Sequence, residues 1–168
     1  MDRKGNQIPN NQYQTKKEYH RIETQKLKNE MEAPNYLQLI GDIEGKSVID
    51  LGCGDGYYTR IFNLKKGSSV VGVDLCSELI DIAIEMGPSN IKYYVADCQF
   101  FTLAGQYFDI VAAEFLIQHA TSLEMLQNFI RTAYGLLNSN GRFVGITRNM
   151  KLTPENYHFQ HNLGGRQS

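Results

Sequence analysis

Nothing in this sequence approaches the length of apolar run needed to cross a membrane, and its first residues, Met-Asp-Arg-Lys-Gly-Asn-Gln, stay polar where a secretory signal turns apolar. A soluble, cytoplasmic protein is the expectation. Only three cysteines occur, Cys53, Cys76 and Cys98, an odd set without zinc-ligand spacing. That argues against a disulfide framework and against a metal site, and it fits a reducing compartment. Charge of either sign is close to balance, with a formal net charge of -1. The broad positive field of proteins that grip a phosphate backbone is missing, so nucleic acid is not an expected partner. Residues 1–30 do hold seven Lys or Arg against four acids, which reads as a solvated helix face and a loose tail rather than an RNA-gripping arm.

The 168 residues suffice for one domain with a core that needs no covalent staples. Residues 1–12, rich in Asn and Gln, lack apolar periodicity and predict a loose tail. Residues 13–44 predict a helical cover interrupted by Pro34, and residues 149–168 predict an irregular tail. Between them, over 45–148, short apolar runs alternate with segments of helical period, the pattern of a parallel α/β sheet. Five runs qualify as strands: Ser47 to Leu51, Ser69 to Leu75, Ile91 to Ala96, Phe108 to Phe115 and Arg142 to Thr147. The clearest helix covers 122–137, with Leu123, Leu126, Ile130, Ala133 and Leu137 on one stripe and a capping box from Thr121 and Glu124. Asn138-Ser139-Asn140-Gly141 should end it and turn the chain into the fifth strand.

The most informative stretch is Val48-Ile49-Asp50-Leu51-Gly52-Cys53-Gly54-Asp55-Gly56, an apolar strand entering a glycine-rich turn ahead of the helical Tyr57 to Leu64. Such junctions are where open α/β sheets bind nucleotide-like ligands. The dinucleotide fingerprint G-x-G-x-x-G would need a third glycine at position 57, which is Tyr57. Asp50, before the turn, would repel a diphosphate but suits the ammonium of an amino-acid ligand. Asp74 closes the second strand roughly twenty residues beyond Gly52, where an acid can accept hydrogen bonds from ribose hydroxyls. Asp97 follows the third strand, and Glu114 lies near the end of the fourth.

Taken as an ordered set over roughly residues 36–148, these pieces resemble the class I, Rossmann-like methyltransferases that use S-adenosyl-L-methionine. The resemblance implies that Asp50 lies near the cofactor's methionine amino group, and that Gly52, Cys53 and Gly54 line its methionine and ribose portions. It implies that Asp74 meets the ribose, that Leu75 lies alongside, and that Asp97 and the backbone of Cys98 meet the adenine. Phe108 to Phe115 is similar to the family's motif IV, with Glu114 to Leu116 reaching the cofactor end. The expected acceptor is a small molecule, and no catalytic residue is named. One departure concerns the far end: the family sheet usually adds an antiparallel hairpin, and the residues after Thr147 do not read as two further strands. A shortened sheet with an open edge at the fifth strand is the expectation, with oligomers possible through that edge.

Each residue also has a plainer reading. A single Asp at a strand end is as often a turn former or a helix cap. The three cysteines read as space-fillers near the cofactor. His119 fits a loop start better than a proton acceptor, and Tyr13, Tyr19 and His20 fit ordinary packing or exposure. Of Tyr57 and Tyr58, one ring should pack on the sheet and the other face the ligand. Two alternative functions follow from the same residues: a non-catalytic or truncated module that binds cofactor or a partner, and, disfavoured by Asp50 and the glycine spacing, an NAD-dependent oxidoreductase.

Overall fold

A computed structural model describes residues 28–148. It contains one sheet of five parallel strands: β1 (Ser47–Leu51), β2 (Ser69–Asp74), β3 (Lys92–Val95), β4 (Phe108–Glu114) and β5 (Leu137–Ile146), in the order β3-β2-β1-β4-β5. Four helices flank it: α1 (Ala33–Ile40), α2 (Tyr57–Leu64), α3 (Ser77–Met86) and α4 (Leu123–Leu136). One π-helical turn, Lys28–Glu32, leads into α1. The sheet grows outward from β1 on one side and from β4 on the other, so the crevice between the ends of β1 and β4 is the topological switch point.

The residues of β1 alternate between two cores, as side chains of a strand must. Val48 joins Val70, Ile110 and Ala112 beneath Tyr36, Ile40, Ile43, Tyr58 and Phe62. Ile49 and Leu51 join Val71, Val73 and Val111 beneath Phe101, Phe108, Phe129, Ala133 and Leu136. Burial on both faces explains why the central strands read as continuous apolar runs. The cover therefore enters the first core: Tyr36 and Ile40 are fully buried, and Tyr36 Oη lies 3.4 Å from the Val144 carbonyl. Arg142 of β5 donates from Nε to the Ile40 carbonyl at 3.0 Å and from Nη2 to that of Asp42 at 3.0 Å, satisfying carbonyls that the end of α1 leaves free.

Several expected boundaries shift. Pro34 does not interrupt a helix but occupies the first turn of α1, where its missing N–H is no loss. The cap of α4 is Ser122, whose Oγ accepts from the Met125 N–H at 3.1 Å, so the capping box assigned to Thr121 and Glu124 is replaced by a simple serine cap one residue later. β5 begins at Leu137 rather than Arg142. Leu137 faces Phe108 and Arg142 faces Ile110, so residues 138–141 are accommodated as an irregularity within the strand instead of a turn before it. The expected tails, and Tyr13, Tyr19 and His20, lie outside the described residues.

Candidate functional site

The glycine turn after β1 is folded back onto β2. The Gly52 and Cys53 N–H groups both donate to the Val73 carbonyl, at 2.8 and 3.0 Å, and the Gly54 N–H donates to the Asp74 carboxylate at 2.8 Å. Gly52, Gly54 and Gly56 all have positive φ, of +75°, +55° and +76°. Gly56 shows why no other residue serves: a Cβ there would lie 2.6 Å from Tyr93 Oη and 2.9 Å from Ala83 Cβ, on top of the cost of left-handed backbone. The loop is thereby pressed against the sheet edge with Asp50 behind it and Asp74 beside it.

Asp50 is 2% exposed, and Thr59 Oγ1 donates to its carboxylate at 2.7 Å. Burial pushes its carboxyl up to about 6, opposed by the Thr59 hydrogen bond and by the Lys28 charge. Asp74 also accepts from the Cys76 N–H at 2.9 Å. Burial raises its carboxyl, against the pull of the Cys76 and Gly54 N–H groups and of His119. His119 itself is exposed in a short 3-10 turn, Ile117–His119. Asp97 accepts from the Gln99 N–H at 2.8 Å and from its side chain at 3.1 Å, an Asx turn that holds the loop beyond β3. Leu75, beside Asp74, is 60% exposed although apolar.

The cysteines divide between the two faces. The Cys98 side chain lies in the second core, and burial pushes its thiol up to about 12. Cys53 is buried in the glycine turn with its Sγ 3.7 Å from the Gly54 carbonyl, and burial raises its thiol as well. Neither is a thiolate at neutral pH, so neither is an activated nucleophile.

At the end of β4, Glu114 meets the cover. Lys28 Nζ stands 3.2 Å from each of its carboxylate oxygens and 4.8 Å from the ring centres of both Tyr57 and Tyr58. Tyr58 Oη donates to Glu32 at 2.9 Å, and Tyr57 Oη to Asn29. Burial raises the Glu114 carboxyl, and the Lys28 ammonium beside it pulls it back down. Of the tyrosine pair, Tyr58 is buried edge-on against Tyr36, while Tyr57 is partly exposed. Phe115, next in the chain, has φ of +54°, a left-handed conformation rare for a bulky residue, and its N–H donates to the Ile146 carbonyl at 2.8 Å.

Asp50, Gly52, Cys53, Gly54 and Asp74 are thus brought into one contiguous group, Asp97 with Cys98 flanks it along the sheet edge, and Glu114 stands across the switch point. Lys28, Glu32 and Thr59 escaped sequence reasoning. The only signal for the first two was a Lys and a Glu four residues apart on one helical face, which reads as a surface ion pair. Thr59 offered only a hydroxyl in an otherwise apolar face of α2.

A family profile described as a methyltransferase domain matches residues 49–145. Among curated relatives, the ubiquinone biosynthesis O-methyltransferase of Coxiella burnetii is 33% identical over 121 residues, which covers 69% of this chain and 50% of the relative. The chain therefore spans about half the length of the curated relatives of that kind. Among solved structures, an S-adenosylmethionine-dependent methyltransferase from Mesorhizobium loti superposes with a TM-score of 0.64 at 27% identity, over 70% of this chain and 54% of that one. The N-methyltransferase NodS from Bradyrhizobium japonicum, at 18% identity, shares the fold with a TM-score of 0.66 over 77% of this chain and 68% of its own.

Proposed function

This chain belongs to the class I S-adenosylmethionine-dependent methyltransferases, and we propose on that premise that it transfers a methyl group from S-adenosyl-L-methionine to a small-molecule acceptor. The observation that carries the reading is the placement of two carboxyls, Asp50 and Asp74, on either side of the glycine turn. A diphosphate laid across that turn would meet both negative groups. A ribose, common to this cofactor and a dinucleotide, answers the second carboxyl, and an amino-acid ammonium, which a dinucleotide lacks, answers the first, so it is Asp50 that favours this cofactor.

Asp50 would hold the methionine amino group, with Gly52, Cys53 and Gly54 along the methionine and ribose. Asp74 accepts from backbone N–H groups that include those of Gly54 and Cys76, and its remaining acceptor capacity would take the ribose hydroxyls. Leu75 would give the adenine an apolar face that is otherwise exposed to water, and Asp97 with the Cys98 backbone would meet its edge. Glu114 closes the site from β4.

The bound cofactor supplies a methyl group already activated by the positive sulfur. What the chain must supply is alignment, worth up to roughly 7 to 11 kcal/mol where two reactants are held in line. The pinned turn does this through its hydrogen bonds to Val73 and Asp74, and Tyr57, Tyr58 and the cover exclude water on the β4 side. The Coxiella relative carries the name of an O-methyltransferase acting in the biosynthesis of a small molecule, which supports an acceptor of that class. No membrane-spanning helix occurs among the described residues, and a cytoplasmic location is part of the proposal. Copies of the chain would associate, if at all, along β5, which pairs on one side only among the described residues.

Calorimetry tests the cofactor. S-adenosyl-L-methionine should bind in the micromolar range, about -8 kcal/mol. NAD should not bind, and Asp74→Asn should weaken the cofactor by tenfold or more while leaving the chain folded. A folded chain that binds neither cofactor would refute the reading.

A further inference from the structure

The corner between β4, α2 and the cover has a composition that the methyltransferase reading does not require. Two tyrosine faces and the Glu114 carboxyl converge on one point where a lysine ammonium is seated, and a second carboxyl, Glu32, stands behind Tyr58. Lys28 Nζ is equidistant from the two Glu114 oxygens at 3.2 Å and from the two ring centres at 4.8 Å. Tyr57 and Tyr58 stand edge to face, their centres 4.9 Å apart and their planes 88° apart, so they form two walls of a box rather than a stack. Glu32, held by Tyr58 Oη, backs the arrangement. A ring face attracts a cation through its quadrupole, most strongly where water is excluded, and adjacent carboxyls add charge. The side chains of Lys28 and Glu114 are 17% and 12% exposed, so this corner is largely withdrawn from solvent.

We propose that Tyr57, Tyr58 and Glu114, backed by Glu32, form a subsite for a compact organic cation, with Lys28 as its built-in competitor. The inference rests on the methyltransferase reading for what reaches this corner. Two such cations belong to methyl transfer: the sulfonium of the donor, and the ammonium of an amine-bearing acceptor. They share one chemistry, a small positive sulfur or nitrogen centre bearing carbon or hydrogen substituents, and the box recognises that chemistry through ring faces and carboxylate rather than through a directed hydrogen-bond pattern. A ligand cation entering the box displaces the Lys28 ammonium toward solvent, a movement within reach of a long flexible side chain in the π-helical turn ahead of α1.

The 168-residue chain and its Lys28→Met variant separate the sources in one set of titrations. S-adenosylhomocysteine carries the same amino acid and nucleoside as S-adenosylmethionine but a neutral sulfur, so the ratio of their affinities reports the sulfonium. Tetramethylammonium, titrated with and without S-adenosylhomocysteine, reports an acceptor cation. Loss of the competitor should tighten one of them about tenfold. A changed cofactor ratio assigns the box to the donor, and a tightened tetramethylammonium assigns it to the acceptor. In either case adding Tyr57→Leu should cancel the gain, whereas Tyr57→Phe, which keeps the ring, should preserve it. Unchanged affinity for both cations would overturn the proposal and leave Lys28 a structural ion pair. Failure of S-adenosylhomocysteine to bind the native chain would instead refute the cofactor reading, and the tetramethylammonium arm without it still decides the box.

Discussion

A carboxylate sealed inside a sheet is an electrostatic cost that folding alone would not retain. Asp50 sits in β1 between Gly72 and Ala112 of the neighbouring strands, with one hydroxyl partner and its carboxyl raised to about 6. Its folded value lies above that of an unfolded aspartate, so its contribution to stability is fully present below about 4 and is lost as pH rises through about 6. Asp50→Asn, which can still accept from Thr59, should therefore raise stability at pH 7 by roughly 2 kcal/mol, with the advantage shrinking as pH falls from 6 to 4. The same variant should bind S-adenosylmethionine more weakly. Chemical denaturation at both pH values, beside calorimetry, checks this. A variant less stable than the native chain at pH 7 would mean that the ionised carboxylate is a structural partner and not a ligand group. Asp109 makes the contrast visible: at the opposite end of the strands it accepts from the Ser47 N–H and hydroxyl, both at 2.8 Å, and these bonds with that of Asn138 hold its carboxyl below the usual range. Sequence alone presents both as aspartates at strand ends. Only their depth and their donors separate a group left in need of a cation from one that is satisfied.

Elements show a similar division between what a sequence carries and what packing decides. The three central strands, β1, β2 and β4, were legible because two-sided burial forces continuous apolar runs, and β1 falls where its residues predict, from Ser47 to Leu51. The glycine turn was legible because left-handed backbone at three alternate positions leaves few residue choices. The start of β5 was not, since Asn138 to Gly141 carry turn chemistry whether the turn lies before a strand or bulges within it. Asn138 Oδ1 does accept from the Asn140 N–H at 3.2 Å, as a turn would, yet Leu137 is already paired with Phe108. The cap of α4 was misplaced by one residue because Thr121 and Ser122 are both acceptable caps, and geometry chose the serine. Ser122→Ala should therefore lower stability by about 1 kcal/mol and Thr121→Ala by much less, neither affecting cofactor binding. Gly56→Ala should be more damaging than either, because the added Cβ meets the Tyr93 ring hydroxyl and Ala83 together. Thermal unfolding of the three variants should rank them in that order, and a Gly56→Ala chain as stable as the Thr121 variant would mean that the loop relaxes more easily than its hydrogen bonds suggest.

For the molecule as a whole, the cover could be a lid laid on a finished sheet or part of what finishes it. The proportions of the first core decide between these. Tyr36 of α1 is fully buried, edge-on to Tyr58 at 4.9 Å, and shares its cluster with Val48 of β1 and Ile110 of β4. The far end of the helix is held by Arg142 of β5. A lid detachable along its whole length would have left the sheet face beneath it polar, whereas Val48, Ile110 and Ala112 would be bare without α1 and α2. The cover is therefore not one unit: α1 belongs to the cooperative core, whereas the π-helical turn ahead of it, carrying Lys28 and Glu32, contributes no buried residue to that core. Tyr36→Ala should cost about 3 to 5 kcal/mol, the range for deleting a buried aromatic, and should reduce hydrogen-exchange protection in β1 and β4 along with α1. Lys28→Met should leave protection in all three unchanged. If Tyr36→Ala instead loosened only residues 28–40 and spared the strands, the whole cover would be a lid, and the cation box would open by hinging at Gly41 rather than by the movement of one lysine.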